Sequence, residues 1–195
     1  MKKIVFLIHL LLIMSGINAK NIKPKVPAKL LYGIITDVDN MDNTVTYYSK
    51  NCCLSLVYYA DNDSTSLNLA LSCTSPDVPL SVQKLVIKTG NITKVIDAAI
   101  EEFEENSITQ RYSTDINRIS AEYKTRIFYN EIWRRNALDY MDIIQSLINN
   151  QGYARFYGVN GKIDIQFKKQ DSRNMRNILN LYEWFINRSD NGNTR

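Results

Sequence analysis

The fold is decided by residues 52–73, CCLSLVYYADNDSTSLNLALSC. Residues 52–60 and 66–73 alternate apolar and polar side chains, and the DNDST segment at 61–65 has the composition of a turn. Because successive side chains of a strand point to opposite faces, each stretch places an apolar stripe on one face. The pattern therefore predicts an antiparallel β-hairpin with one buried face.

Superposing the two apolar stripes gives the expected register of this hairpin. It pairs Leu54 with Leu71, Leu56 with Leu69 and Tyr58 with Leu67, and it brings Cys52 opposite Cys73. We therefore expect a Cys52–Cys73 disulfide, which would stabilise the fold by roughly 3 kcal/mol. Cys53 falls on the other face as a free thiol. It is either a small buried side chain or the link of a disulfide-bonded dimer.

Periodicity and turn chemistry predict a mixture of strands and helices in the remainder of the chain. Residues 30–37 and 82–88 are predicted strands, and a second hairpin is expected at 153–158 and 163–168, around a type I′ turn at Asn160-Gly161. Apolar side chains at three-to-four spacing predict helices at 92–105, capped by Asn91, at 114–149 as two helices or one kinked helix, and from 171 to about 187. The expected fold class is α+β: an antiparallel sheet with two β-hairpins packed against three or four helices.

The N-terminal segment has the features of an export signal. Lys2 and Lys3 precede eleven mostly apolar residues at 4–14, and Ala19 ends a plausible cleavage site. The expected organisation is a signal peptide at 1–19, an extended basic linker at 20–30, one domain at 31–188 and a flexible tail at 189–195. No apolar run reaches the length of a transmembrane helix. The mature chain is therefore expected to be soluble and secreted or periplasmic.

Removal of the signal peptide excludes several classes of chemistry. His9 is the only histidine, so the mature chain has no histidine for a Ser-His-Asp or Cys-His mechanism or for a zinc site. The remaining glycines are scattered, so no phosphate-binding loop is expected. Lys and Arg fall from 24 to 22 against 20 Asp and Glu, which leaves a net charge of only +2. We expect no metal, cofactor or nucleotide, and an enzyme is disfavoured.

One pair of residues remains a candidate for catalysis. Glu122 and Arg126 are four residues apart in a predicted helix and would share one face of it, near Tyr123 and Tyr129. A carboxylate held by an arginine among tyrosines could stabilise a cationic centre while the rings stack on a base. The alternative is a surface ion pair worth a few tenths of a kcal/mol.

The order of elements over residues 50–187 resembles the catalytic chain of ribosome-inactivating proteins, the rRNA N-glycosidases. The resemblance is carried by residues 116–122 (INRISAE), 125–127 (TRI) and 150–152 (NQG). It implies a secreted toxin enzyme that acts on RNA, with Glu122 and Arg126 in the active site. The family spaces this Glu and Arg by three residues, whereas they are four apart here, so the enzyme is kept as the alternative.

The leading expectation for function is a non-enzymatic interaction protein with a protein partner. It would be exported as a virulence, adhesion or assembly factor, and its aromatic-rich composition, with 12 Tyr, 6 Phe and 2 Trp, suits a contact surface. A secreted viral or eukaryotic glycoprotein is the third possibility, because Asn62, Asn91 and Asn187 begin glycosylation sequons.

Overall fold

The computed structural model describes residues 24–50, 52–97, 102–113 and 121–192. Within these ranges, side chains are described for 24–50, 52–97, 104–105 and 127–188. The predicted signal peptide at 1–19 lies outside the described residues. In the described part of the chain, no helix is long and apolar enough to cross a membrane.

Most of the described chain forms β-strands. Six of the ten strands form the first sheet: β1 (Ile35–Asp39), β2 (Thr44–Tyr48), β3 (Leu54–Tyr59), β4 (Ser64–Pro76), β7 (Glu102–Ser113) and β8 (Ala121–Asn136). The other four form the second: β5 (Val82–Thr89), β6 (Ile92–Asp97), β9 (Gly152–Gly158) and β10 (Gly161–Phe167). The two α-helices are α1 (Met141–Asn150) and α2 (Lys169–Gly192).

Both sheets are antiparallel throughout. The strand order is β1-β2-β3-β4-β8-β7 in the first sheet and β10-β9-β5-β6 in the second. The predicted α+β class, with one sheet covered by three or four helices, is therefore wrong. The described chain is a mainly β protein with two sheets and two helices.

The predicted first hairpin exists, but its register differs by two residues. Leu54 pairs with Leu69, Leu56 with Leu67 and Tyr58 with Thr65. A shift of two residues leaves every side chain on its predicted face, and the leucine stripes of both strands are buried. The connecting loop is residues 60–63, shorter than expected, and Asp63 adopts a left-handed conformation there with φ of 49°.

The predicted helices at 92–105 and over the first part of 114–149 are wrong. Asn91 does not cap a helix, because Gly90 and Asn91 form the tight turn of the β5–β6 hairpin, with φ of 51° at Gly90. Residues 102–113 form β7, and residues 121–136 form β8. Seven of the sixteen residues of β8 are β-branched or aromatic, and such side chains favour strands over helices.

The C-terminal third agrees better with prediction. Helix α1 buries Ile144 and Ile148, and α2 buries Met175, Ile178, Leu179 and Phe185, whereas Ile186 is 41% exposed. Helix α2 continues to Gly192, into the predicted tail. The β9–β10 hairpin is confirmed, but its two-residue loop is Val159-Asn160, with positive φ at Gly161 and at neither loop residue, so the turn is not type I′.

The helices close the core against the two sheets. Helix α2 packs on β3 and β4 and contacts α1, which lies on β5 and β6. The ring of Phe185 stacks on Tyr58 at 5.2 Å and lies 5.8 Å from Tyr47, so that α2 is anchored to the first sheet by aromatic contacts. Val26 and Leu30, within the predicted linker, also pack against the core.

Gly158 lies where a larger residue does not fit. A Cβ atom at this position would lie 2.1 Å from the carbonyl oxygen of Leu80, a contact that only a backbone shift could relieve. We expect Gly158→Ala to lower the free energy of unfolding by about 2 kcal/mol, measured by urea denaturation. Val159→Ala is the control, because Val159 is 68% exposed and its truncation should change stability little. Equal stabilities of the two variants would contradict the close approach.

Candidate functional site

The outer face of the second sheet combines tyrosines with basic side chains. Because side chains alternate along a strand, β9 buries Ala154 and Phe156 and turns Tyr153, Arg155 and Tyr157 outward. The cross-strand register aligns lysines beside both tyrosines. We call this surface the tyrosine–lysine face and define it by Tyr153, Arg155, Tyr157, Lys84, Lys88 and Lys162.

Its side chains form ordered rows across the strands. Lys162, Tyr157 and Lys84 stand side by side on β10, β9 and β5 in one row. Two residues further along the strands, Asp164, Arg155 and Val86 form the next row. The third row is Gln166, Tyr153 and Lys88. Each tyrosine therefore lies directly beside one or two lysines.

Arg155 is held rigidly at the centre of this face. Its Nε and Nη2 atoms donate to the two carboxylate oxygens of Asp164, at 2.5 and 2.7 Å. Its guanidinium lies 5.5 Å from the ring centre of Tyr153 and 5.9 Å from that of Tyr157. The hydrogen bonds from Arg155 lower the pKa of the Asp164 carboxyl. The pair therefore stays ionised at neutral pH, and its guanidinium lies near both tyrosine rings.

The lysines give the face its positive charge. Lys84, Lys88 and Lys162 are exposed, and none of them has a salt bridge to any side chain that the structure describes. The Lys84 ammonium lies 4.8 Å from the ring centre of Tyr157. The charge of Arg155 is balanced by Asp164. The lysines are therefore the cations that a ligand would meet.

A second feature is a cleft of about 180 Å³ beside the first hairpin. It lies between β4, the end of β10 and the first turn of α2. Two thiols open into it, and we call it the sulfur cleft; its lining residues are Cys52, Cys53, Ala70, Leu71, Ser72, Ile165, Gln166, Phe167 and Asp171. Burial raises the pKa of the Cys52 thiol to about 11 and that of Cys53 well above its usual value. Neither thiol is therefore an activated nucleophile at neutral pH.

The geometric basis of the predicted Cys52–Cys73 disulfide does not hold. In the observed register Ala70 pairs with Cys53, so the position opposite Cys52 belongs to Leu71, and Cys73 pairs with Glu131 of β8 instead. All three cysteines are free thiols in the structure. Cys53 packs against Met175, which favours the interpretation of Cys53 as a small interior side chain over a dimer link. The disulfide itself stays a prediction.

The catalytic candidates lie on a strand, where they are not helical neighbours. Glu122 and Arg126 belong to β8, opposite Tyr112 and Ile108 of β7. Four residues of a strand span about 13 Å, against about 6 Å for one turn of a helix. Their side chains lie outside the described residues, so their role stays a prediction, but the helical proximity that suggested it is wrong.

No family model, curated protein or solved structure matches this chain. Among the residues that the structure describes, no group of three His, Cys, Asp or Glu side chains is placed to hold a metal ion. The case for function therefore depends on the chemistry of the tyrosine–lysine face and of the sulfur cleft.

Sequence reasoning missed the tyrosine–lysine face although part of its signal was readable. Residues 153–158 were predicted to be a strand, and period-two alternation alone places Tyr153, Arg155 and Tyr157 on one face. The lysines come from β5 and β10, and β5 lies about seventy residues earlier in the chain. Only the β5–β9 pairing brings Lys84 and Lys88 beside the tyrosines, whereas Lys162 is placed by the local β9–β10 hairpin.

Proposed function

We propose that this chain is an exported, non-enzymatic binding protein that uses the tyrosine–lysine face to bind an acidic surface of a partner protein. The observation that carries the proposal is the arrangement of that face in rows, in which lysines without a salt bridge to any described side chain flank two tyrosines whose rings lie near Arg155. Export rests on the signal-like residues 1–19.

The composition and rigidity of the face support a protein-binding role. Tyrosine and arginine are enriched among the side chains that dominate the energy of protein interfaces. A residue that is ordered before binding loses less conformational entropy on binding, and the Asp164–Arg155 pair supplies that order here. The lysines around these anchors would contact carboxylates of the partner and steer its approach.

Single-stranded RNA is the competing partner, since basic and aromatic side chains on a sheet also bind unpaired bases. The ring faces here favour a protein. Arg155 already lies against both tyrosines, and Lys84 lies against Tyr157. A base would have to displace these cations before it could stack.

Site-specific photo-crosslinking in the organism that produces the protein tests the proposal. A benzoylphenylalanine is placed at Val95, which is 58% exposed and pairs with Val86 at the edge of the face, and separately at Met41, which is 93% exposed in the β1–β2 turn. We expect a protease-sensitive adduct with an acidic protein from Val95 and none from Met41. An adduct that ribonuclease removes, or equal capture from both positions, would contradict the proposal.

Charge-reversal variants test whether binding depends on the lysines of the tyrosine–lysine face or only on the net charge of the protein. We expect Lys84→Glu, Lys88→Glu and Lys162→Glu together to lower the yield of the Val95 adduct at least tenfold, because like charges then oppose the acidic partner. The matched control reverses three exposed basic residues elsewhere, Lys50, Arg173 and Arg176. Melting temperatures confirm folding. If both triple variants lose the adduct equally, the face is not the binding surface.

A further inference from the structure

Two of the three glycosylation sequons lie at turns that connect neighbouring strands. Asn62 is exposed in the loop at residues 60–63 between β3 and β4, and Ser64, the hydroxyl residue of its sequon, begins β4. Asn91 is exposed in the tight turn between β5 and β6, and Thr93, which completes its sequon, is exposed on β6. Neither asparagine therefore belongs to the packed interior, and a bulky group on either one meets solvent.

The transfer of an N-linked glycan requires the asparagine amide and the hydroxyl group two residues later. The turn at Asn62 brings the two groups together, because the Ser64 hydroxyl donates to the Oδ1 atom of Asn62 at 2.7 Å. This bond uses Oδ1 and not Nδ2, the atom to which a glycan is joined. At the other turn, Asn91 and Thr93 flank the first residue of β6 and are both exposed. Both sequons therefore present the two groups that transfer requires.

The third sequon lies in a different kind of backbone. Asn187 and Ser189 belong to α2, which runs from Lys169 to Gly192. An α-helix turns by about 100° per residue, so positions two residues apart lie about 200° apart around its axis. Asn187 and Ser189 therefore occupy nearly opposite sides of α2. The fold separates the two groups of this sequon, whereas it leaves those of the other two accessible.

Each accessible sequon also has an exposed apolar side chain nearby. The β3–β4 turn is joined to the β1–β2 turn by a hydrogen bond of 3.0 Å from Asn43 to Asp61, and Met41 of the β1–β2 turn is 93% exposed. Asn91 precedes β6, which is an edge strand among the described strands and carries Val95, 58% exposed. An exposed edge strand is a template for pairing with another chain. A hydrated glycan at each turn would shield these surfaces.

We propose that Asn62 and Asn91 carry N-linked glycans and that Asn187 does not. The proposal rests on export, which is part of the proposed function. Transfer joins the asparagine Nδ2 atom to C1 of the first sugar of an oligosaccharide carried on a polyprenyl diphosphate. The bond between C1 and the diphosphate oxygen breaks, the polyprenyl diphosphate leaves, and one amide proton is released. No oxidant or reductant takes part.

Peptide mapping of the exported full chain tests the three asparagines separately. Trypsin cleaves after lysine and arginine, so the three sequon asparagines fall in three different peptides, 51–84, 89–94 and 177–188. The protein is purified from the organism that produces it, and mass spectrometry reads each peptide. We expect a glycan on the first two peptides and none on the third. Either of the first two without a glycan, or a glycan on 177–188, would overturn the proposal.

The matched variants keep each asparagine and remove only the hydroxyl group of its sequon. We expect Ser64→Ala and Thr93→Ala each to remove one glycan, seen as faster migration in gel electrophoresis, and Ser189→Ala to change nothing. Unchanged migration of Ser64→Ala or Thr93→Ala contradicts the assignment of that site.

N-terminal sequencing distinguishes this proposal from the binding proposal. Bare asparagines on a chain that has lost residues 1–19 would overturn the glycan sites and leave binding by the tyrosine–lysine face standing. Bare asparagines on a chain that retains residues 1–19 would overturn export, on which the glycan sites depend.

Discussion

Replacing Glu131 with glutamine is expected to lower the free energy of unfolding by about 3 kcal/mol. Glu131 is only 3% exposed, and its two carboxylate oxygens accept hydrogen bonds from the backbone N–H groups of Ser81 and Val82, both at 2.8 Å. Glutamine keeps one acceptor and turns an NH₂ group towards the second N–H. Two donors then face each other in a buried position, and one of them loses its partner.

The expected loss reflects the place of Glu131 between the sheets. The residue belongs to β8 of the first sheet, whereas Val82 begins β5 of the second sheet and Ser81 immediately precedes it. Urea denaturation followed by circular dichroism measures the effect, and hydrogen exchange should show lower protection at the start of β5. Glu183→Gln is the control, because Glu183 is exposed on α2. An unchanged midpoint for Glu131→Gln would show that the carboxylate does not hold the two sheets together.

The parts of the fold that were predictable are those set by local chemistry. The hairpins around residues 60–63 and 159–160 combine turn residues with alternating flanks, and both exist. Helix α2 has apolar residues at helical spacing without a conflicting signal, and it also exists. In each case the pattern that predicts the element lies within the residues of that element, although α2 is also stabilised by packing on β3 and β4 far earlier in the chain.

Strand β8 shows why the middle of the chain was mispredicted. Its apolar residues fall at spacings that also suit a helix, and its partner strand β4 lies more than fifty residues earlier. Pairing with β4 on one side and β7 on the other stabilises an extended backbone that local periodicity does not reveal. Pairing with the distant β4, together with pairing to the neighbouring β7, therefore decided the fold of this segment.

The incorrect register predicted for the β3–β4 hairpin, and with it the predicted partner of Cys52, has a different cause. A one-residue slip would have turned the leucines towards solvent, but a two-residue shift preserves every buried side chain. The alternating pattern therefore determined the faces of β3 and β4 without determining which residues pair. The shorter loop at residues 60–63, with the left-handed Asp63, selects the observed register.

The largest expected loss of stability follows truncation of Trp133. This side chain has no solvent exposure and is the largest of the fully buried ones, and its ring meets that of Tyr140 edge-on at 5.4 Å. Trp133 falls within the region predicted to be helical at 114–149, whereas it lies on β8 opposite Leu71. We expect Trp133→Ala to lower the free energy of unfolding by about 4 kcal/mol, because it removes the buried ring and leaves a cavity.

The Trp133→Phe variant distinguishes the contribution of the buried aromatic ring from that of the indole N–H group. The indole Nε1 is buried and has no hydrogen-bond partner among the described residues, so its desolvation opposes folding. Phenylalanine removes that group while keeping an aromatic ring against Tyr140, and the relief offsets part of the lost packing. We therefore expect Trp133→Phe to cost about 1 kcal/mol by urea denaturation, followed by circular dichroism. If both substitutions cost the same, the whole indole, including its N–H group, is needed at this position, and the account of an unpaired donor is wrong.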